Sequence, residues 1–137
     1  KDIQIREVSL QIREYMEHPA RLQLLHYLYG ISQADGEMHP NEINLIDQIS
    51  HYLGISEKDH QSIKAMFVRD TASSYRILEV SETASDEEVK RAYRRMAMKY
   101  HPDKVGDLGP EVQKAANEKF QALNAAWEDI KKQRNIQ

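Results

Sequence analysis

The chain has 137 residues, a formal net charge of −3 and no cysteine. Because there is no cysteine, disulfides and cysteine zinc sites are excluded. A chain without disulfides is typical of a reducing compartment. The nearly neutral charge argues against a general nucleic-acid binder, because such a protein needs a large cationic surface.

The sequence predicts an all-α fold in two regions. Glycine is scarce, and β-branched residues never alternate over a run long enough for a strand. A short polar stretch suggests domains at residues 1–69 and 74–137, with a connector at 70–73. Residues 1–70 carry seven Lys and Arg against eleven Asp and Glu, and residues 71–137 carry twelve against eleven. Positive charge is therefore concentrated in the second region.

The sequence of the first region predicts a bundle of about four helices with short connections. Proline suits a first helical turn, glycine ends a helix, and serine caps one. The predicted limits are, in chain order, a helix ending before His18 and Pro19, a second from Pro19 to about Ala34, a third from Pro40 to the stop at Gly54, and a fourth capped by Ser56 and running through Phe67.

The turn between the second and third helices carries acidic side chains that invite a metal hypothesis. Asp35, Glu37, His39 and Glu42 could bind a divalent cation, the three carboxylates as oxygen ligands. An EF-hand loop, however, requires more oxygen ligands at regular spacing, and two histidines one turn apart, as zinc sites use, are missing. We interpret the segment as a capped turn, with the metal site as the alternative.

The second region contains a basic amphipathic helix that begins at Ser85. Ser85 and Glu88 have the spacing of a capping box, and Pro102 ends the helix because proline excludes the α conformation at the preceding residue. One face is apolar and includes Val89, Ala92, Tyr93, Met96, Ala97 and Tyr100. The other carries the cations Lys90, Arg91, Arg94, Arg95 and Lys99.

A second amphipathic helix follows from about Pro110, with its own apolar stripe. Phe120, Leu123 and Trp127 are its predicted core residues. Two such helices joined by about ten residues bury their stripes best as an antiparallel hairpin. The loop with His101, Pro102 and Asp103 then lies at the tip of the hairpin.

The tip has three possible interpretations. A catalytic acid and base pair needs a pocket with a nucleophile or metal, and the neighbouring sequence offers none. A plain turn explains Pro102 and Asp103, but not the adjacent cationic face. The third interpretation is a docking tip for another protein. For the basic helix itself, the alternatives are a solvated face and a weak nucleic-acid patch.

Four ordered segments resemble the J domain of DnaJ-type co-chaperones over about residues 74–132: Tyr75 to Val80, the basic helix, Tyr100 to Lys104, and Lys119 to Trp127. Residues 31–43, with their Ala-Asp-Gly turn, resemble the TerB-like helical module. A TerB-like module followed by a J domain is similar to the DjlA type of co-chaperone.

The resemblance implies a DnaK-type chaperone as the partner, whose ATP hydrolysis the tip would favour. The contact residues that we expect are Lys90, Tyr93, Arg94, Arg95, Lys99, His101, Pro102, Asp103 and Lys104. Tyr93 borders the apolar stripe, so a mainly structural ring is the alternative there. Val105 and the insert 106–109 depart from the common pattern, which leaves the fine partner preference open.

The sequence thus predicts a co-chaperone that is not itself an enzyme and needs no cofactor. Its first region would recognise a client, a partner or a second copy. The alternative is a metal-responsive stress protein that uses the J region as an adaptor, and nucleic-acid binding is disfavoured by the acidic first half. No apolar run is long enough to cross a bilayer. We expect a cytoplasmic protein, tethered to the inner membrane only if an anchor precedes Lys1.

Overall fold

The computed structural model describes residues 2–34, 36, 38–68, 70, 72–106 and 108–136, without the side chains of residues 2 and 3. In this part of the chain every regular element is helical, which confirms the all-α prediction. The helices are α1 Asp2–Tyr15, α2 His18–Gln33, α3 Pro40–Tyr52, α4 Glu57–Ala65, α5 Ser73–Ile77, α6 Asp86–Lys99 and α7 Pro110–Arg134, with a 3₁₀ turn at Pro102–Val105 between the last two.

Local side-chain caps fix where the helices begin. Ser56 Oγ accepts a hydrogen bond from the backbone N–H of Asp59 at 3.2 Å, at the start of α4. Ser85 and Glu88 form the predicted capping box of α6, since each side chain accepts from the other residue's backbone N–H, at 3.2 and 3.1 Å. Prolines occupy the first turns of α2, α3 and α7. The observed starts of these helices agree with the starts predicted from the sequence to within one residue.

Gly54 ends α3 because of its backbone conformation. Its φ of +73° lies in the left-handed region, which glycine adopts without steric cost. A Cβ atom at this position would lie 2.6 Å from Nε of Arg13, but that contact is with the end of an exposed, flexible side chain. The positive φ therefore accounts for glycine at this helix stop.

The first four helices form the predicted bundle, with α2 at its centre. Helix α2 packs against α1, α3 and α4, and also against α7 and the 3₁₀ turn of the second half. Leu25 and Tyr29 of α2 are fully buried, as is Ile63 of α4. The most central helix of the first half is thus also a packing partner of the second half.

Helices α6 and α7 pair as the predicted antiparallel hairpin. Asp86, at the start of α6, accepts a hydrogen bond from Arg134 at the end of α7, at 2.9 Å. At the other end, the His101 ring lies edge-on to Phe120 at 5.6 Å between centroids. Leu123 is fully buried, whereas Phe120 and Trp127 are half-buried against the core. The loop that follows α6 therefore lies at one end of the hairpin.

One hydrophobic core runs through both halves of the chain. Helix α4 packs on α5, and α2 packs on α7. Ser73 already belongs to α5, Asp70 and Ala72 precede it, and Thr71 of the expected connector lies outside the described residues. The domain limits 1–69 and 74–137 stay a prediction. The larger members of the shared core are Leu22, Leu25, Tyr29, Leu53, Ile63, Ile77, Leu78, Met96, Tyr100, Leu123 and Ile130.

Candidate partner-docking site

Helix α6 presents a cationic face to solvent because its apolar face is used by the hairpin. Val89, Ala92 and Met96 are buried. Arg94 and Arg95 are exposed, and neither forms an ion pair within 4 Å with another residue in the described part of the chain. Their guanidinium groups remain available for bonds to a second molecule.

Lys90 belongs to the same face with a weak local partner. Its Nζ lies 4.0 Å from a carboxylate oxygen of Glu87, one turn earlier on α6. A pair of this kind between exposed side chains contributes little free energy and is easily exchanged. Lys90 therefore adds positive charge to the face without being committed to an internal contact.

The tip after α6 is exposed and is held by local contacts. Pro102 opens the 3₁₀ turn, and Nδ1 of His101 accepts a hydrogen bond from the backbone N–H of Asp103 at 3.2 Å. The side chains of His101 and Asp103 are 50% and 92% exposed. Lys104 is exposed as well, whereas Val105 is buried and anchors the end of the turn. Polar groups of the tip thus face solvent from a 3₁₀ turn whose last residue is buried.

Tyr93 joins the two helices of the hairpin. Its hydroxyl donates a hydrogen bond to Oδ1 of Asn124 at 2.8 Å, and its ring stacks on Trp127 with centroids 5.2 Å apart and planes 12° apart. The ring is half-buried. This geometry gives Tyr93 a structural role. Its contact with a partner stays a prediction, and such a contact would use only the exposed part of the ring.

Lys99 differs from the other cations because its ammonium group is directed into the fold. Its Nζ forms an ion pair with the Asp59 carboxylate of α4 and lies 3.8 Å from a carboxylate oxygen of Glu79. The Asp59 side chain is only 4% exposed, whereas that of Lys99 is 32% exposed. Geometry therefore gives Lys99 an internal partner, and its contact with a second protein remains untested.

The sequence did not single out Asp59, Glu79 or Ser62. Burial raises the pKa of Glu79 to about 7, and the nearby Asp59 carboxylate adds to this rise. The Ser62 hydroxyl accepts a hydrogen bond from Tyr100 at 2.9 Å and donates one to the carbonyl of Ile77 at 2.7 Å. No local pattern marks these residues, because their partners lie 15 to 40 positions away.

The alternative metal site lies partly outside the described residues. Asp35 and Glu37 lie outside the described residues, and Glu42 is a half-buried residue in the first turn of α3. Among the described residues, no three His, Asp or Glu side chains come together in a way that could hold an ion. Over the same residues, no helix combines the length and the apolar character that crossing a bilayer requires.

The folded chain matches two known families, one in each half. Residues 73–137 match the family described as DnaJ domain, and residues 1–65 match the family described as tellurite resistance protein TerB. Residues 73–137 are therefore a DnaJ domain, and this J domain follows a TerB domain. Both resemblances stated from the sequence are confirmed.

Two curated relatives that cover both halves carry the same name. Co-chaperone protein DjlA of Photobacterium profundum is 35% identical over 75% of this chain and 47% of the relative. The Aliivibrio fischeri protein of the same name is 27% identical over 98% of this chain and 60% of the relative. Chaperone protein DnaJ of Fusobacterium nucleatum is 43% identical over 39% of this chain and 14% of the relative.

The chain thus spans about half the length of the DjlA relatives that it matches. No solved structure is significantly similar to it.

Proposed function

We propose that the chain is a co-chaperone whose J domain binds a DnaK-type chaperone and stimulates its ATP hydrolysis. The observation that supports this most directly is that Arg94 and Arg95, on α6, and the tip residues His101 and Asp103, which follow α6, are all exposed. The relatives named co-chaperone support the same class of function. The ATPase chemistry would belong entirely to the partner.

The geometry suits brief, charge-assisted docking. Exposed guanidinium groups attract an acidic partner surface over several ångströms, which speeds association more than it raises affinity. The tip then offers an imidazole and a carboxylate as hydrogen-bonding groups on a backbone that Pro102 and Val105 hold in place. We expect weak binding that declines as salt is added.

The decisive experiment measures the steady-state ATPase rate of a DnaK-type chaperone with increasing amounts of this protein. Wild type should stimulate the rate, and His101→Gln should reduce the stimulation at least tenfold. The His101 side chain is half exposed, so the variant should keep its helicity. His51→Gln, the same change at an exposed position of α3, is the matched control and should behave as wild type. Equal stimulation by His101→Gln and wild type would refute the proposal.

For the TerB domain, we propose a targeting role toward a client, a partner or a membrane-associated site. Helix α1 leaves the side chains of Val8 and Tyr15 largely exposed, which is the kind of apolar surface that a recognition module uses. Val8→Ser with Tyr15→Ser should weaken client binding and leave ATPase stimulation intact. Loss of both activities together would argue against separate roles for the two halves.

A further inference from the structure

Two consecutive residues anchor the base of the tip to the TerB domain. The Lys99 ammonium group pairs with Asp59, and the Tyr100 hydroxyl donates to Ser62 Oγ at 2.9 Å. Asp59 and Ser62 both belong to α4. His101 directly follows these two residues. The tip therefore begins immediately after a segment that is bonded to α4.

The surroundings of Asp59 favour its charged form. Burial opposes ionisation of this carboxyl group, but hydrogen bonding with Glu79, Lys99 and His18 outweighs burial and lowers its pKa. Nε2 of His18 lies 3.4 Å from the other carboxylate oxygen. Asp59 also lies in the first turn of α4, where the helix dipole stabilises a negative charge. Asp59 is therefore a fixed anion at the boundary of the two domains.

Lys99 is held more firmly than an ordinary surface lysine. It lies in the last turn of α6, where the helix dipole favours a cation, and its counterion is almost completely buried. Moving Lys99 to a partner would leave Asp59 buried without its main cation, which is costly. The ion pair with Asp59 therefore favours the internal position of the Lys99 ammonium group over a contact with a second protein.

We propose that Asp59 of the TerB domain is a positioning residue for the docking tip of the J domain, because by holding Lys99 it fixes the last turn of α6 and hence the placement of His101 to Asp103. This inference rests on the proposed function. It makes the TerB domain part of the docking machinery, although none of its residues needs to touch the chaperone. A displacement of about 1 Å is enough to weaken a site of this kind.

The first test compares Asp59→Asn with Asp47→Asn in the ATPase assay. Asp47 is a matched control, because it pairs with His60 and Lys64 inside the TerB domain and away from α6. Asp59→Asn should raise the protein concentration needed for half-maximal stimulation at least threefold, whereas Asp47→Asn should change it less than twofold. Equal effects of the two variants would overturn the proposal.

The second test follows amide hydrogen exchange of residues 99–105 in the free protein. Asp59→Asn should accelerate exchange in this segment and leave α3 unchanged, whereas Asp47→Asn should leave residues 99–105 as in wild type. Unchanged exchange in Asp59→Asn would show that the ion pair does not fix the tip, and would overturn the proposal. Faster exchange with unaltered ATPase stimulation would overturn it as well.

A double-mutant cycle separates positioning from direct contact by Lys99. If Lys99 acts through Asp59, Lys99→Met should impair stimulation in the wild-type background and add less than twofold in the Asp59→Asn background. Lys99→Arg keeps a cation for Asp59 and should restore most of the stimulation. An equal loss from Lys99→Met in both backgrounds would identify Lys99 as a contact residue and overturn the positioning role.

The exchange measurement keeps the two proposals distinguishable. If wild type stimulates no DnaK-type chaperone, the proposed function fails, and the positioning role toward that partner fails with it. Exchange in the free protein would then still report whether Asp59 orders the tip. If wild type stimulates and the Asp59 variants match their control, only the positioning role fails.

Discussion

Glu79 is a carboxyl residue whose protonation should change near neutral pH. Its carboxyl group is almost buried beside Asp59 and 3.8 Å from Nζ of Lys99. Burial raises its pKa to about 7. The folded chain therefore holds a proton on Glu79 between its ordinary pKa of 4.5 and about 7, whereas the unfolded chain has released it. Stability contributed by this group is present below pH 4.5 and is lost as the pH rises through 7.

Glu79→Gln, which imitates the protonated form, should remove that pH dependence. We expect the variant to be more stable than wild type at pH 8 by on the order of 1 kcal/mol, and the difference to shrink toward pH 5. Urea denaturation at both pH values measures it. Glu128→Gln, the same change at an exposed position of α7, should show no such trend. An equal gain at both pH values would contradict the assigned pKa.

The residues of the tip could be predicted from the sequence, whereas the residues that hold it could not. His101, Pro102 and Asp103 are adjacent in the chain, so a short motif reveals them. Asp59 is 40 positions from Lys99, and only the fold brings the two together. The helical pattern of α6 correctly gave Lys99 a polar position, but a pattern cannot distinguish a cation that faces solvent from one that faces another domain.

At the scale of elements, the start of α6 depends on its capping box. Ser85→Ala removes the acceptor for the backbone N–H of Glu88 and should destabilise the chain by about 1 kcal/mol. Thermal unfolding followed by circular dichroism measures the loss. Ser81→Ala, in the exposed turn before α6, is the control: it removes the acceptor for the backbone N–H of Thr83 but caps no helix, and it should cost less. A larger loss from Ser81→Ala would contradict the importance of the box.

Helix starts could be predicted more closely than helix ends. Ser56, Pro40 and Pro110 each fix a start through a cap or through their missing backbone donor. The predicted fourth helix runs through Phe67, but α4 ends at Ala65, because the chain turns there toward α5. Apolar spacing continues past that point since Met66 and Phe67 still pack against the core. The spacing of apolar residues indicates which residues are buried, and here the buried residues continue beyond the end of α4.

At the scale of the whole molecule, the continuous core predicts one cooperative unfolding transition. Ile63 is a fully buried residue of the TerB domain, and Trp127, the single tryptophan, lies in the J domain. Ile63→Ala should cost about 2–5 kcal/mol and shift the tryptophan fluorescence transition as far as the helicity transition. Ile31→Ala, at an exposed position of α2, should shift neither. A tryptophan transition that stays at the wild-type position would show that the domains unfold independently.

The two-domain order could be predicted from the sequence, but the contact between the domains could not. Each region carries its own amphipathic helices, so the pattern favours two small cores. In the structure α2 and α7 share one interface, where the Tyr27 hydroxyl also donates to Glu111 at 3.0 Å. Helix α2 is apolar over much of its surface, and the sequence alone does not say which of its faces meets which helix.

The burial of Lys119 at this shared interface has a consequence for transplanting the J region into another scaffold. The side chain is buried in α7, its ammonium group lies 4.7 Å from the centre of the Tyr100 ring, and burial lowers its pKa to about 8. A J region cut free of the TerB domain would lose α2, which packs on α7, and Ser62, which accepts from Tyr100, so Lys119 and Tyr100 would become more exposed to water. A chimera built with this region would therefore need a new cover for that side.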